Sequence, residues 1–145
     1  MGLALLAVAG AHGCAHSNSP QLAPFASDGC SSFPDGTRED PARWRRCCVE
    51  HDVAYWIGGT REERSRADRE LKVCVEEIES ASLARTMWLG VRAGGSPYVP
   101  TSYRWGYGWP FTRGYQEVSD EEAQHARSLR APELDPQRTA ALEVE

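Results

Sequence analysis

The chain has 145 residues, 41% of them hydrophobic and 26% charged, enough for one domain with a modest core and too little for two. No stretch reaches the roughly 18 consecutive apolar residues of a membrane-spanning helix. Thirteen acidic and thirteen basic side chains up to residue 116 cancel, so the net charge of −5 comes from the eight acidic and three basic residues after it; the basic residues are almost all Arg and are spread out, which excludes a nucleic-acid footprint.

Residues 1–19 read as an export signal. A short apolar run, Leu3 to Ala9, is followed by small residues, and Ala11-His12-Gly13-Cys14 is similar to the site at which bacterial lipoproteins are cut and acylated. No Lys or Arg precedes the run. The expected location is therefore secreted or in the cell envelope, with Cys14 as a candidate lipid anchor. Five cysteines in a small domain point the same way, to an oxidising compartment, and Cys14 is the natural odd one out.

Residues 20–40 are dense in Gly, Ser, Pro and Asp and form a loop centred on Asp28-Gly29-Cys30. Asp40 before Pro41 reads as an N-cap with proline in the first turn, so the first helix is expected to run from there to Gly58-Gly59. On it Trp44, Cys47, Cys48, His51, Asp52 and Tyr55 share one stripe at helical spacing. An imidazole and a carboxylate thus face inward between two thiols, which costs several kcal/mol unless partners satisfy them.

Thr60 and Glu63 form a capping box that opens a second helix, with Ala67, Leu71, Cys74, Val75 and Ile78 as its apolar stripe and Asp68 on the border. The short Gly-Gly link makes the two helices antiparallel neighbours. His51 lies seven residues before Gly58 and Asp68 nine after Gly59, so the two differ in height by only about 3 Å and can meet. The alternative is a surface pairing of Asp68 with Arg64 or Lys72.

Cys47 and Cys48 project about 100° apart and reach different partners. Cys30 and Cys74 are available. Pairing Cys30 with Cys48 would tie the Asp28 loop to the first helix, and pairing Cys47 with Cys74 would lock the two helices, each worth about 3 kcal/mol.

A third helix is expected over residues 81–93, with Leu83, Met87, Trp88 and Val91 on its apolar face and Gly94-Gly95 at its end. Tyr103, Trp105, Tyr107 and Trp109 then alternate with Arg104, Gly106 and Gly108, a period of two that predicts an extended segment or short hairpin. Such a ladder packs against the helix pair or faces lipid or substrate. Residues 117–145 form an acidic tail expected to be flexible.

The pattern Cys47-Cys48-x-x-His51-Asp52-x-x-Tyr55 resembles the signature helix of the secretory phospholipase A2 superfamily. Asp68 six residues before Cys74 and Cys30 ahead of the helix also fall at places similar to the family's, so the resemblance covers about Asp28 to Val75. It implies a mainly α domain over residues 20–116, with two antiparallel disulfide-linked helices carrying the active site. It implies calcium-dependent hydrolysis of the sn-2 ester of glycerophospholipids, with the phospholipid met at a membrane or micelle surface and the chain acting as a monomer without nucleic acid.

Carried onto this sequence, His51 is the general base, Asp68 orients and stabilises its imidazole, and Tyr55 donates a hydrogen bond to Asp68. Asp52 would bind calcium. The glycine-rich calcium loop of the animal and venom enzymes is absent, so the chain looks more like the bacterial and fungal branch, which implies Asp28 and the Gly29 carbonyl as the other ligands. The 17-residue separation of His51 and Asp68 is short for the family.

Two other classes of function compete. One is a domain that keeps the fold and cation site but acts as a catalytically silent binding or anchoring module. The other is a zinc site of Cys30, Cys47, Cys48 and His51, whose spacing suits a tetrahedral ion poorly and leaves Asp52 and Asp68 unexplained.

Overall fold

The structure, a computed structural model, describes residues 22–130. The expected signal segment, Cys14 and the end of the acidic tail lie outside the described residues. The described chain is mainly helical: α1 is Arg45–Ile57, α2 Arg61–Ile78, α3 Ala81–Gly94 and α4 Asp120–Arg130, with one 3-10 turn at Phe111–Arg113. Among the described residues there is no strand, and no helix is long and apolar enough to cross a membrane.

α1 starts four residues later than Asp40 and Pro41 suggested. The Asp40 backbone carbonyl accepts from Thr37 and Arg43, closing turns over 37–44, and the helix begins only after Trp44. Trp44 is buried there, its indole N–H donating to the Pro34 carbonyl at 2.6 Å. The turn that joins α1 to α2 is made by Gly58 and Gly59 with φ of 72° and 137°, a left-handed conformation that side chains resist. Thr60 and Glu63 then form the expected reciprocal capping box, at 3.2 and 2.8 Å.

α2 is the central helix, packed against α1 on one side and α3 on the other. Leu71 and Val75 of α2 meet Trp44, which precedes α1, Cys47 and Cys48 of α1, and Ala84 and Met87 of α3 in the main core cluster. The α3 face is centred on Ala84, which is fully buried, with Leu83 and Val91 packed at its margin and Trp88 only half-buried. Two disulfides, Cys30–Cys48 and Cys47–Cys74, fasten the first loop to α1 and α1 to α2. They fit a protein that folds outside a reducing cytosol.

The aromatic segment is neither extended nor a hairpin. Residues 101–110 form successive turns, and their backbone N–H groups serve the end of α1 instead of a partner strand. Gly106 and Tyr107 donate to the Tyr55 carbonyl and Gly108 to that of Trp56. The indoles of Trp109 and Trp105 donate to the carbonyls of Ile57 and Gly59 at 2.6 and 2.8 Å. The last carbonyls of a helix have no intrahelical donor, and this segment supplies them. Trp105 and Trp109 are buried, which answers the ladder's packing reading.

The acidic segment is not a flexible tail throughout. α4 begins at Asp120, buries Ala126 against Leu22, Trp56 and Trp109, and is clamped by a bidentate pair from Arg113 to Glu122 at 2.8 and 2.9 Å. Acidic residues in its first turn and Arg127 and Arg130 in its last suit the helix dipole, which favours helix over disorder here.

Candidate active site

His51 and Asp68 meet as the hairpin register requires. His51 Nε2 stands 3.0 Å from Asp68 Oδ1, and both side chains are buried, Asp68 completely. Tyr55, one turn after His51, donates its hydroxyl to the same Oδ1 at 2.7 Å. A carboxylate with no solvent contact is tolerated only with several donors, and Asp68 has them. Burial pushes its pKa up, but hydrogen bonds from His51, Arg92 and Tyr55 outweigh that and hold it below the usual carboxylate range.

That ionisation fixes the imidazole tautomer. An ionised carboxylate only accepts, so the proton facing it sits on Nε2 and the lone pair of the neutral ring sits on Nδ1. Nδ1 makes no hydrogen bond to the described residues. The Tyr55 hydroxyl is pushed upward by burial and by the Asp68 charge, so it stays protonated as a donor.

Arg64 and Arg92 escaped the sequence reading as members of this group. Arg92 Nη1, reaching in from α3, donates to Asp68 Oδ2 at 2.7 Å. Arg64, expected as a surface competitor for Asp68, is buried and joins the group: Nε donates to the Tyr55 hydroxyl at 3.0 Å and lies 3.8 Å from Oδ2. Its i, i+4 spacing to Asp68 was the available signal. Lys72, the other competitor, pairs with Glu76.

The opposite side of His51 opens into a cavity of about 360 Å³. Phe33, Leu71, Met87, Val91 and Tyr103 give it an apolar lining, while His51 and Asp52 provide polar groups in its wall. Such a mix suits an apolar ligand carrying one reactive polar group. Tyr103 lines the cavity while remaining exposed, so one rung of the aromatic ladder does face the space a ligand would enter.

Asp52 is half-buried and differs from Asp68 in having few donors. Its Oδ2 accepts from Ser27 Oγ at 2.6 Å, and its pKa is pushed up to about 6, chiefly by burial and further by the nearby Asp28 charge, against the lowering effects of Ser27, His51 and Arg45. Asp28 is exposed and accepts from Ser31 Oγ at 2.6 Å, and Gly29 lines the cavity. The structure therefore brings Asp28 within electrostatic reach of Asp52, and among the described residues no three His, Cys, Asp or Glu side chains cluster around one point.

The Asp28 loop owes its place to Asp35, which also lay outside the sequence reading. Asp35 accepts from the Cys30 backbone N–H at 2.7 Å and pairs with Arg45 of α1, while Cys30 bonds covalently to Cys48. A Cβ at Gly29 would fall 2.3 Å from Asp35 Oδ1, and φ there is 87°, so only glycine fits.

The zinc alternative fails, since Cys30, Cys47 and Cys48 all lie in disulfides and offer no thiolate. Set beside known proteins, the chain matches no family model, no curated protein and no solved structure.

Proposed function

We propose that the chain is a secreted hydrolase of carboxylic esters in glycerophospholipids, cutting the sn-2 ester of lipids presented at a membrane or micelle surface. The single observation that carries the reading is that His51, whose Nε2 is bonded to the buried Asp68 carboxylate, lines a largely apolar cavity together with Asp52. Such a pair leaves Nδ1 able to take a proton from water beside an apolar substrate, which is general-base catalysis. Asp68 stays ionised through the step and stabilises the imidazolium that forms. Tyr55 holds the carboxylate. The apolar lining of the cavity suits an acyl chain.

The oxygen donors around Asp52 fit a hard divalent cation. A half-buried carboxylate with a second carboxylate near it is electrostatically unfavourable alone, and a cation relieves both burial and repulsion. Asp52, Asp28 and the Gly29 carbonyl would hold calcium, with water completing the shell. When bound, calcium supplies Lewis-acid polarisation of the ester carbonyl.

A second reading, a binding module without turnover, draws on the hydroxyl partners that Asp52 and Asp28 already have in Ser27 and Ser31. One assay separates the two. Mixed phospholipid vesicles are incubated with the chain in calcium or in chelator, beside His51→Ala and Asp52→Ala. The hydrolytic reading expects fatty-acid release in calcium only, reduced at least about 1,000-fold in His51→Ala with the disulfide-linked helices still folded by circular dichroism. Vesicle binding without release in calcium favours the module.

A further inference from the structure

Asp68 gives its two oxygens to different parts of the molecule. Oδ1 accepts from His51 and Tyr55 of α1, whereas Oδ2 accepts from Arg92 of α3. A carboxylate bound through one oxygen turns easily about its last torsion, which is broad and roughly two-fold. A guanidinium fixed on the other oxygen opposes that turn, because the turn would break a charge-assisted hydrogen bond.

Arg92 is itself held. Arg64 Nη2 donates to the backbone carbonyls of Val91 and Arg92 at 2.9 and 3.1 Å, in the last turn of α3, where the Val91 carbonyl also accepts from the Gly95 N–H. The same guanidinium donates through Nη1 to the Tyr115 hydroxyl at 2.8 Å and through Nε to Tyr55. Arg64 therefore ties α1, α2 and the end of α3 together at the point from which the Arg92 side chain projects. Beyond Asp68, the Arg92 side chain makes among the described residues only a long contact to Ser65 Oγ, at 3.4 Å. Its side chain is 35% exposed, which leaves it reachable from solvent.

We propose that Arg92 is a positioning residue for His51, acting through Asp68: by holding Oδ2 it stops the carboxylate from turning, so Oδ1 keeps the Nε2 proton and Nδ1 is left for the cavity. The kinetic consequence rests on the hydrolytic reading above, and the geometric consequence does not. Arg64 supports the arrangement by fixing the backbone of Arg92.

The test uses the full chain with its disulfides intact. Arg92→Ala is expected to lower kcat on phospholipid vesicles in calcium by about 10- to 100-fold, with KM within about twofold, as for loss of a group that orients a reacting side chain. Because the vacated position is open to solvent, added methylguanidinium restores at least about fivefold of that loss, and methylammonium, which lacks the planar fork, restores less. A ¹⁵N NMR measurement of the His51 ring, assigned by the signal lost in His51→Asn, shows one Nε2–H tautomer in the parent and a mixture in Arg92→Ala. Arg92→Lys and Arg92→Gln carry the same readouts should the alanine variant not fold. Parental kcat in a folded variant, or a lowered Tm with an unchanged single tautomer, makes Arg92 a structural ion pair only and overturns the proposal. If the parent chain hydrolyses nothing, the hydrolytic reading falls alone, and the tautomer measurement still decides for or against Arg92.

Discussion

The two sides of His51 treat a carboxylate in opposite ways. On the closed side, Asp68 is fully buried yet held ionised, because His51, Arg92 and Tyr55 all donate to it. On the open side, Asp52 is half-buried and pushed up to about 6, first by that burial and further by the Asp28 charge, with Ser27 its one short donor among the described residues. The comparison teaches that the number and charge of donors decide ionisation here.

Breaking the closed side carries the largest expected effect. Asp68→Ala leaves the buried Arg64 guanidinium without its carboxylate neighbour, and removing one member of a buried ionic group costs about 3 to 5 kcal/mol. Urea denaturation measures it. A loss under about 1 kcal/mol would mean that the closed side is not an ionic unit.

The open side depends on a covalent tether in place of ion pairs. Cys30→Ser combined with Cys48→Ser releases a bridge that closes a separation of 18 residues, expected to cost about 3 kcal/mol and to weaken calcium binding in isothermal titration. Unchanged calcium affinity would show that Asp35 and Arg45 alone keep Asp28 in place.

How much of this was legible follows from the same contrast. His51 and Asp68 could be matched because the Gly58-Gly59 turn fixes the register of two adjacent helices, and the cysteine spacing ties them. Arg92 lies 24 residues from Asp68 on a helix whose rotation no short turn dictates, so no pattern marks it. Arg64 was visible as a neighbour of Asp68, but whether an arginine at that spacing is surface or core depends on Tyr115, 51 residues away. The alternation from Tyr103 to Trp109 has a period of two for a reason that periodicity does not encode: its N–H groups and indoles cap α1. Asp40 has the composition of a helix cap, yet its backbone carbonyl closes a turn and the burial of Trp44 sets the true start.

The smallest expected effect separates the two carboxylates by pH. In divalent-free buffer the folded Asp52 titrates near 6. The fold thus favours its protonated form, a contribution present below about pH 4 and lost as pH rises through 6. Asp52→Asn should therefore stabilise the chain by about 1 to 2 kcal/mol at pH 7 and by nothing measurable near pH 3.5. Asp68 has the opposite sign: its lowered pKa gives a contribution present at neutral pH and lost only as pH falls below the ordinary carboxylate range. Stability curves of Asp52→Asn and the parent that run parallel across this range would contradict the assigned asymmetry.

The central claim is that the closed side makes His51 a base toward an ester in the open cavity. Its most direct measurement is product analysis on a glycerophospholipid labelled differently at its two acyl positions, with calcium present and then chelated. The account predicts release of the sn-2 acid and the matching lysophospholipid, in calcium alone and only while His51 is present. Cleavage that survives chelation or His51→Ala, or no cleavage at all, would contradict it.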